Sequence, residues 1–523
     1  MKSTSVRLAA LLALAAWSTA SVGAPEVDID QVRANAAKLI SQLVDQGVLA
    51  REKGDALIDD VTRPASPPPP ASASPAAAAP AGATGKSAAA PGTVRVPYIP
   101  EFVRKELKEE IRTELAAQAF REGWTGPGSV PSWVRNLEWE GDLRVRAQFD
   151  RFADGNASTV SINDTNRTRS LSLLNVSEDR DRLRVRGRIG LNAKLDEHWS
   201  AGIRLTTGSA TDPLSANQTL GTFNNRYTVL IDRAYVRYRY GDQFNAVAGR
   251  FGNPWFGTDL LWANDLSFDG VAAQWTPRIT SALRGFATVA AMPVQEVELA
   301  QADKWLFGAQ VGATLASSPR TIGGKLGLGY YHYTNMLGRL SPVGSTANEF
   351  TAPQFAQKGN SYYNISSDPA RPLLALASEY RMVNLTGQID LPSFAGKRVM
   401  LTGDYVRNVG FDRSQVSSRV GVDVDPQVSA YHVRVAFGNN EIKELHDWQV
   451  FMAYKRIERD AVLDAFTDSD FRLGGTDAKG YAIGASYGLG KNTAAALRFF
   501  SGDSISGPPL SIDVVQFDLN VRF

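Results

Sequence analysis

The last ten residues of the chain alternate between apolar and polar side chains, and this pattern restricts the fold more than any other feature. The apolar side chains occupy every second position, at Val515, Phe517, Leu519, Val521 and Phe523. Because successive side chains of a β-strand point to opposite faces, one face of this segment suits hydrocarbon and the other suits water. Such a strand belongs either to a transmembrane β-barrel or to the half-buried sheet of a water-soluble protein.

The same period-two alternation recurs from residue 137 to the C-terminus. In the first such segment, Leu143 and Val145 alternate with Arg144 and Arg146. Counting the segments predicts an all-β transmembrane antiparallel barrel of about 16 strands over residues 137–523, and an even number is what a closed barrel of this kind requires. The predicted strands lie near residues 137–150, 181–195, 199–208, 228–240, 243–251, 268–277, 281–292, 304–317, 321–335, 379–391, 397–409, 428–438, 446–457, 478–489, 491–502 and 511–523.

The connections between these segments are predicted to alternate strictly between tight turns and long polar loops. A soluble β-sandwich has no such requirement, so the alternation favours the barrel. We expect the long connections outside the cell and the turns on the periplasmic side. The turns are expected at residues 196–198, 241–242, 277–280, 317–320, 393–396 and 490, and the loops at 151–180, 208–227, 252–267, 336–378, 410–427 and 458–479.

The N-terminus carries an export signal. Lys2 and Arg7 precede an apolar run at 8–17, and small residues follow it, so residues 1–24 are predicted to be a cleaved signal peptide. The run is shorter than the roughly 20 apolar residues that a spanning helix needs, and no later apolar stretch reaches that length without a charge. The chain has no cysteine, which excludes disulfides and thiolate metal sites.

Three further segments precede the first predicted strand. Residues 25–62 have helical spacing interrupted at Gly47 and predict a periplasmic helical hairpin, and residues 63–98 are a Pro/Ala-rich linker. Residues 99–124 predict a charged amphipathic helix with one narrow apolar stripe. The stripe fits an oligomer contact, a lid, a barrel rim or a solvated helix with one packed face, and the hairpin fits a cell-wall contact, a subunit contact or self-packing.

The charge balance excludes one class of partner. The chain has 56 basic and 54 acidic residues and a formal net charge of +2, so no global field attracts nucleic acid. Its 45 glycines and 43% hydrophobic residues fit a barrel whose strands are half polar, although a soluble sandwich could share them.

Short motifs along nearly the whole mature sequence resemble the putative porins of Gram-negative bacteria. The resemblance implies an outer-membrane pore for small hydrophilic solutes, in contact with lipids and lipopolysaccharide, and it names no solute. It also implies that the terminal Phe523 is read by the barrel-assembly machinery, and similarity to general porins implies a homotrimer. The motifs are Gln46-Gly47-Val48-Leu49, Val96-Pro97-Tyr98-Ile99-Pro100, Trp139-Glu140-Gly141-Asp142-Leu143-Arg144, Arg182-Leu183-Arg184-Val185-Arg186, Asn217-Gln218-Thr219-Leu220-Gly221, Asp232-Arg233-Ala234-Tyr235-Val236 and Gly249-Arg250-Phe251-Gly252-Asn253-Pro254.

Arginines are concentrated on the polar face of the first five predicted strands, and we call this set the arginine wall. A guanidinium facing hydrocarbon near the membrane midplane costs about 2 to 4 kcal/mol, so these side chains are predicted to line the pore. The same alternation predicts that Asp232 faces outward. This residue lies near the end of its strand, where the free-energy cost of a charge facing lipid is small. The predicted pore-lining residues are Arg144, Arg146, Arg182, Arg184, Arg186, Arg188, Arg204, Arg233, Arg237, Arg239 and Arg250.

Two interpretations of the arginine wall remain open. A ladder of like charges raises the local anion concentration, which predicts anion preference. Alternatively, lumenal carboxylates pair with the arginines and leave a nearly neutral wall that stiffens the barrel. The carboxylates in position to do so include Glu138, Glu140, Asp142 and Asp150.

The third long connection, residues 252–267, is too apolar for a solvated loop. In general porins the third loop folds into the lumen, and by that resemblance this segment is a constriction loop with Asp259 and Asp265 facing the arginine wall. Alternatively, Trp255 and Trp262 pack at the rim or in the membrane interface, where aromatic belts lie.

Other classes of function are less well supported by the sequence. A barrel enzyme would need a nucleophile beside a histidine, and the four histidines, at positions 198, 332, 432 and 446, form no evident pair. We therefore expect no catalytic site, no metal and no cofactor. The alternative to a pore is a plugged or narrow barrel that acts as a surface receptor or adhesin through its long loops.

Overall fold

The structure is a computed structural model and describes residues 136–158, 175–298, 302–316 and 321–523. The predicted signal peptide, helical hairpin, linker and charged helix lie outside the described residues.

Sixteen antiparallel strands close into a barrel, as the sequence predicts. The first strand closes the barrel, because it pairs with the second strand on one side and with the last strand on the other. Three short strands in the described connections, β4 (Gln218–Thr219), β11 (Tyr362–Asn364) and β12 (Leu374–Leu376), are included in the numbering. The barrel strands are β1 (Leu137–Phe152), β2 (Arg180–Lys194), β3 (Trp199–Thr207), β5 (Val229–Tyr240), β6 (Phe244–Gly252), β7 (Ser267–Trp275), β8 (Leu283–Gln295), β9 (Lys304–Leu315), β10 (Gly323–Thr334), β13 (Arg381–Pro392), β14 (Arg398–Asn408), β15 (Ser429–Gly438), β16 (Trp448–Ile457), β17 (Ala478–Gly490), β18 (Thr493–Ser504) and β19 (Ser511–Arg522).

The outer and inner faces of the barrel follow the alternation of the sequence. On β1, Val145 is 43% exposed on the outer face, whereas the neighbouring Arg146 is fully buried inside. The same holds at Phe517 and Asp518 on β19, where the apolar residue is exposed and the acid is buried. The outer face is therefore a continuous apolar band of the kind that lies against lipid, and polar groups are confined to the interior.

The two ends of the barrel differ in their connections. One end, here called the turn end, has connections at 195–198, 241–243, 276–282, 316–322, 393–397, 439–447 and 491–492. The other, the loop end, has eight connections: L1 (153–179), L2 (208–228), L3 (253–266), L4 (296–303), L5 (335–380), L6 (409–428), L7 (458–477) and L8 (505–510).

The predicted strict alternation of short and long connections is wrong at three places. L4 and L8 lie at the loop end but are short, and the turn-end connection at 439–447 is as long as they are. Short connections occur at both ends of the barrel, so length alone does not reveal the end at which a connection lies.

Shorter elements lie within the connections. Strand β4 (Gln218–Thr219) in L2 pairs with β2 inside the main sheet, and β11 (Tyr362–Asn364) pairs with β12 (Leu374–Leu376) within L5. Helix α1 (Arg413–Val420) in L6 is capped at its N-terminus by Asp412, whose side chain accepts a hydrogen bond from the backbone N–H of Gln415. The 3₁₀ helices are Glu349–Thr351, Phe394–Gly396, Asp464–Phe466 and Phe471–Leu473. No helix among the described residues is long and apolar enough to cross a membrane.

The largest apolar cluster lies inside the barrel, where a soluble protein would have its core. It joins Leu260 and Trp262 of L3 to Tyr331 of β10 and to Val462 and Leu463 of L7. Two loops from the loop end therefore fill part of the interior, and the polar space that remains is the candidate site.

Candidate permeation site

The arginines of β1 and β2 face one another across a single strand pair. The register places Arg144 opposite Arg186 and Arg146 opposite Arg184, because the two strands run antiparallel with the same parity inward. Four guanidiniums thus stand in two adjacent rows on the inner face. Like charges so close require acidic partners or water between them.

Carboxylates supply most of those partners. Asp142 accepts hydrogen bonds from Arg186 Nη2 at 2.7 Å and from Arg188 Nε at 2.6 Å, and Asp150 accepts one from Arg182 Nη2 at 2.5 Å. Glu138 pairs with Lys194 instead of an arginine, at 2.5 Å.

Arg184 is the exception on β2, since no carboxylate in the described part of the chain lies within ion-pair distance of it. Its Nη1 donates to Gln148 Oε1 at 3.2 Å and its Nη2 to Ser215 Oγ at 3.4 Å. Among the described residues, this guanidinium, next to L2, is hydrogen-bonded only to neutral side chains.

The remaining arginines of the wall are more dispersed. Arg204 on β3 is buried, and Arg233 and Arg237 on β5 are half-buried, with Arg237 stacked 5.0 Å from the centre of the Tyr235 ring. Arg239 is exposed at the turn end, and Arg250 donates to Asp269 Oδ2 at 2.8 Å near the loop end.

The expectation that Asp232 faces outward is wrong. A β-bulge shifts the pairing of β3 and β5, so that Arg204 is opposite Arg233 while the next residue, Leu205, is opposite Ile231. The extra residue, Asp232, turns inward, forms an ion pair with Arg204 and accepts a hydrogen bond from Ser267 Oγ at 3.1 Å. Strict alternation fails at a bulge because two residues of one strand oppose a single position of the other.

L3 crosses the interior of the barrel. It leaves β6 and first contacts β9 and β10, where Trp255 packs edge-on against Tyr331 with ring centres 5.1 Å apart. Trp262 packs against the same Tyr331 at 5.4 Å and against Phe268 of β7 at 5.3 Å. Both tryptophans are buried inside, so they lie at neither the rim nor the outer surface.

Asp259 does not reach the arginine wall. Its carboxylate lies 2.8 Å from Lys455 Nζ on β16 and 3.7 Å from His432 Nδ1 on β15, on another part of the barrel wall. The preceding Thr258 donates through its backbone N–H and its hydroxyl to Asp404 of β14, at 3.0 and 2.7 Å. The middle of L3 is therefore fastened to β14–β16, and this placement corrects the predicted orientation of Asp259.

Asp265, near the end of L3, lies on the arginine wall. Its carboxylate is 3.0 Å from Arg186 Nη1, 3.1 Å from Arg188 Nη1 and 4.0 Å from Arg144 Nη2. Burial alone would raise the pKa of Asp265, but Arg186, Arg188 and Arg144 outweigh it and hold the pKa below its ordinary value. The group is ionised at neutral pH.

L7 enters the interior beside L3, which the sequence interpretation missed. Ala263 N donates to Phe466 O at 2.8 Å, and Asp468 N donates to Asp259 O at 3.1 Å, so the two loops are joined through their backbones. L7 adds Asp468, 2.6 Å from Lys455 Nζ, and Asp470, 3.1 Å from Arg146 Nη1. The sequence feature that could have predicted this is the apolar composition of L7, which is like that of L3. The apolar residues include Val462, Leu463, Phe466 and Phe471.

Asp265 lies in the lining of two cavities. The loop-side cavity has a volume of about 560 Å³ and is bordered by L2, L3, L5 and L7. The turn-side cavity has a volume of about 450 Å³ and is bordered by the arginine wall, by β18 and β19, and by Asp468 and Asp470. Asp265 borders both cavities, and Arg144, Arg186 and Arg188 beside it border the turn-side cavity.

Phe523 lies where the barrel closes. Its backbone N–H donates to Gly141 O at 3.0 Å, and Gly141 N donates to Phe523 O at 2.9 Å, which extends the pairing of β1 and β19 to the last residue. The Phe523 ring covers Gly141, since a Cβ at that position would lie 2.4 Å from the ring.

A sequence model of a known family matches almost the whole chain. The family described as "Putative porin" matches residues 33–523. Among curated proteins, none matches the sequence.

Several solved outer-membrane structures are similar to this chain in fold. OprB of Pseudomonas putida is 12% identical, with 75% of this chain and 95% of that chain covered and a TM-score of 0.43. OmpF of Salmonella typhi is 10% identical, with 74% and 97% covered and a TM-score of 0.40. The outer-membrane channel DcaP of Acinetobacter baumannii is 9% identical, with 74% and 97% covered and a TM-score of 0.39.

Proposed function

The chain belongs to the putative porin family, and from this membership we propose that it is a passive diffusion channel for small hydrophilic solutes. Membership in the family and the barrel fold make it an outer-membrane channel and not an enzyme. The proposed path runs through the loop-side cavity, past Asp265, and into the turn-side cavity. The observation that carries this proposal is that Asp265 borders both cavities while it contacts the arginine wall.

We further propose a modest anion preference. Five arginines border the turn-side cavity, against four carboxylates. Arg184 adds a guanidinium that has no carboxylate within ion-pair distance in the described part of the chain. Because most of the other guanidiniums are paired, the excess positive charge is small, and so is the expected preference.

Orientation and partners follow as proposals from the same assignment. The loop end would face the exterior and the turn end the periplasm, with the N-terminal region periplasmic after removal of residues 1–24. The apolar band would contact outer-membrane lipids and lipopolysaccharide, and the protein would assemble as a homotrimer. Phe523, paired with Gly141 at the closing seam, would be the residue that the barrel-assembly machinery reads.

One observation favours the alternative of a plugged receptor or adhesin. L5 and L7 are tightly docked at the loop end: Asn360 Nδ2 donates to Arg459 O at 2.6 Å, and Ser361 Oγ donates to Asp460 Oδ2 at 2.6 Å. If these loops closed the mouth completely, the long loops would serve surface binding instead of solute entry.

Conductance of the purified protein in planar bilayers, with the reversal potential under a salt gradient, tests these proposals. We expect stepwise channels with anion preference that weakens in Arg184→Gln and Arg186→Gln, while Arg413→Gln on the exposed helix α1 leaves it unchanged. Channels without anion preference would retain the diffusion pore and remove the charged-wall proposal. A folded barrel that never conducts would favour the receptor.

A further inference from the structure

We propose that the turn-side cavity binds small zwitterionic solutes of the amino-acid type, which carry a carboxylate at one end and an ammonium group at the other. This inference rests on the proposed channel function and names a solute class for the same site. It follows from the opposite charges that line one cavity, on β1, L3, L7, β18 and β19.

Three guanidiniums in the lining of this cavity, here called the basic face, have little acidic compensation. Arg498 Nη2 is 3.6 Å from Asp518, and Arg144 Nη2 is 4.0 Å from Asp265, so neither arginine forms a close bidentate ion pair. Arg522, at the end of β19, has no ion pair within the described ranges. A guanidinium offers parallel N–H groups that match a carboxylate, and these three therefore form a face that can receive one.

Two carboxylates in the same lining, here called the acidic face, come from two different loops. Asp265 comes from L3, and Asp470 from L7 has a side chain that is 26% exposed. Burial alone would raise the pKa of Asp470, but Arg146, Arg498 and Arg144 outweigh it and lower the pKa below its ordinary value. Asp470 is therefore ionised at neutral pH and can accept hydrogen bonds from an ammonium group.

Amide side chains also line the cavity. Asn217, Asn264, Gln449 and Asn520 border the cavity and can donate to or accept from the polar body of a solute. The volume of about 450 Å³ lies within the range of roughly 300–1,000 Å³ that is typical of small-molecule sites.

The charge arrangement discriminates between classes of solute. A simple anion is attracted by the arginines but repelled by Asp265 and Asp470. A simple cation is attracted by the two carboxylates but repelled by the arginines. A zwitterion satisfies both faces at once, and a neutral sugar satisfies neither charge. The expected order of entry at similar size is therefore zwitterion ahead of neutral sugar.

Liposome swelling with the full-length mature protein tests this order. L-glutamine and L-arabinose have similar mass, and we expect L-glutamine to enter about threefold faster, as suits partly solvated charge contacts. L-glutamine added to one side of a planar bilayer should also produce brief blockages of the ion current. Equal swelling rates in a preparation that shows stepwise conductance would overturn the inference.

Variants connect the preference to the two faces. Arg498→Gln and Asp470→Asn should each bring the L-glutamine to L-arabinose ratio close to one, whereas Arg413→Gln should leave it unchanged. Single-channel conductance verifies that each variant is folded, and Arg498→Gln carries the test if Asp470→Asn fails to fold because Arg146 loses one of its two acidic partners. A ratio that survives in both folded variants would refute the assigned faces. Absence of both conductance and swelling would contradict the channel function itself.

Discussion

Arg146 and Asp518 form a bidentate ion pair across the seam at which the first and last strands close the barrel. Arg146 Nε donates to Asp518 Oδ1 at 2.6 Å and Nη2 donates to Oδ2 at 2.9 Å. The two residues stand opposite each other in the pairing of β1 with β19, and both side chains are buried. The seam is thus fixed by a side-chain contact in addition to the backbone ladder.

Replacing Asp518 by Asn should destabilise the barrel by about 3 kcal/mol, near the lower limit for removing one partner of a buried pair, because Asp470 remains beside Arg146. The measurement is equilibrium urea unfolding in lipid vesicles, followed by tryptophan fluorescence. Asp423→Asn, in an exposed ion pair of L6, should change stability by at most about 1 kcal/mol. Equal stability of Asp518→Asn and the wild type would mean that the pair adds nothing to closure.

Replacing Asp265 by Asn should increase anion preference. The change removes the carboxylate that Arg144, Arg186 and Arg188 share at the junction of the two cavities. The reversal potential under a salt gradient should shift toward the anion side, with a permeability ratio raised about threefold. Glu379→Gln in L5, whose ion pair is exposed, is the matched control. An unchanged potential would place the selective step away from Asp265.

The packing of L5 against L7 should weaken as the pH rises from about 4 to about 7. Burial raises the pKa of Asp464 to about 7 in the folded protein, from 3.8, and the Tyr362 hydroxyl donates to this carboxyl. The folded state therefore retains a proton that the unfolded loop releases, so its stabilisation is complete below the unfolded pKa and is lost as the pH passes through the folded value.

Hydrogen exchange of the L7 amides, corrected for the intrinsic effect of pH, measures this change. Protection should fall over that interval in the wild type. In Asp464→Asn, which keeps the shape of the side chain and cannot ionise, protection should vary less. A wild-type profile that stays flat between those pH values would show that Asp464 does not titrate there.

Replacing Gly141 by Val should slow barrel assembly. A side chain at this position meets the Phe523 ring at 2.4 Å and Arg188 O at 2.8 Å, so the last residue of the chain must shift. The expected destabilisation is about 1 to 3 kcal/mol, the range for overpacking. The time course of folding into vesicles, read from heat-modifiable gel migration, measures the rate of assembly. Gly403→Val has no atom within 4 Å of the new Cβ and should fold at the wild-type rate.

The strands could be predicted from the sequence because each has one face against an apolar medium and most have polar side chains on the inner face. This local constraint fails where a bulge inserts an extra residue, as at Asp232. It is also weaker on β9 and β10, whose inner faces carry apolar side chains that pack against L3. The same constraint predicts that the arginine wall faces inward. An arginine on the lipid-facing side of a strand is unfavourable whichever residues lie elsewhere in the chain.

The interior of the pore could not be predicted to the same extent. Arg146 and Asp470 are 324 positions apart in the chain, and no local pattern specifies which strand a loop residue reaches. Asp259 illustrates the limit: its place in an apolar loop predicts an interior position, but its partner, Lys455, is set by how L3 lies across the whole barrel. The apolar composition of a loop indicates that it enters the lumen. The partners of its side chains are determined only by the closed sheet.

The backbone hydrogen bonds between L3 and L7 impose an order on the maturation of the pore. Thr467 Oγ1 donates to Leu260 O across 207 positions of sequence, and L7 gains a fixed place only when β16 and β17 have joined the sheet. The barrel wall therefore has to be almost complete before its narrowest section exists. A chain that ended before residue 458 would lack L7 and β17–β19, so neither the contacts between L3 and L7 nor the seam between β1 and β19 could form.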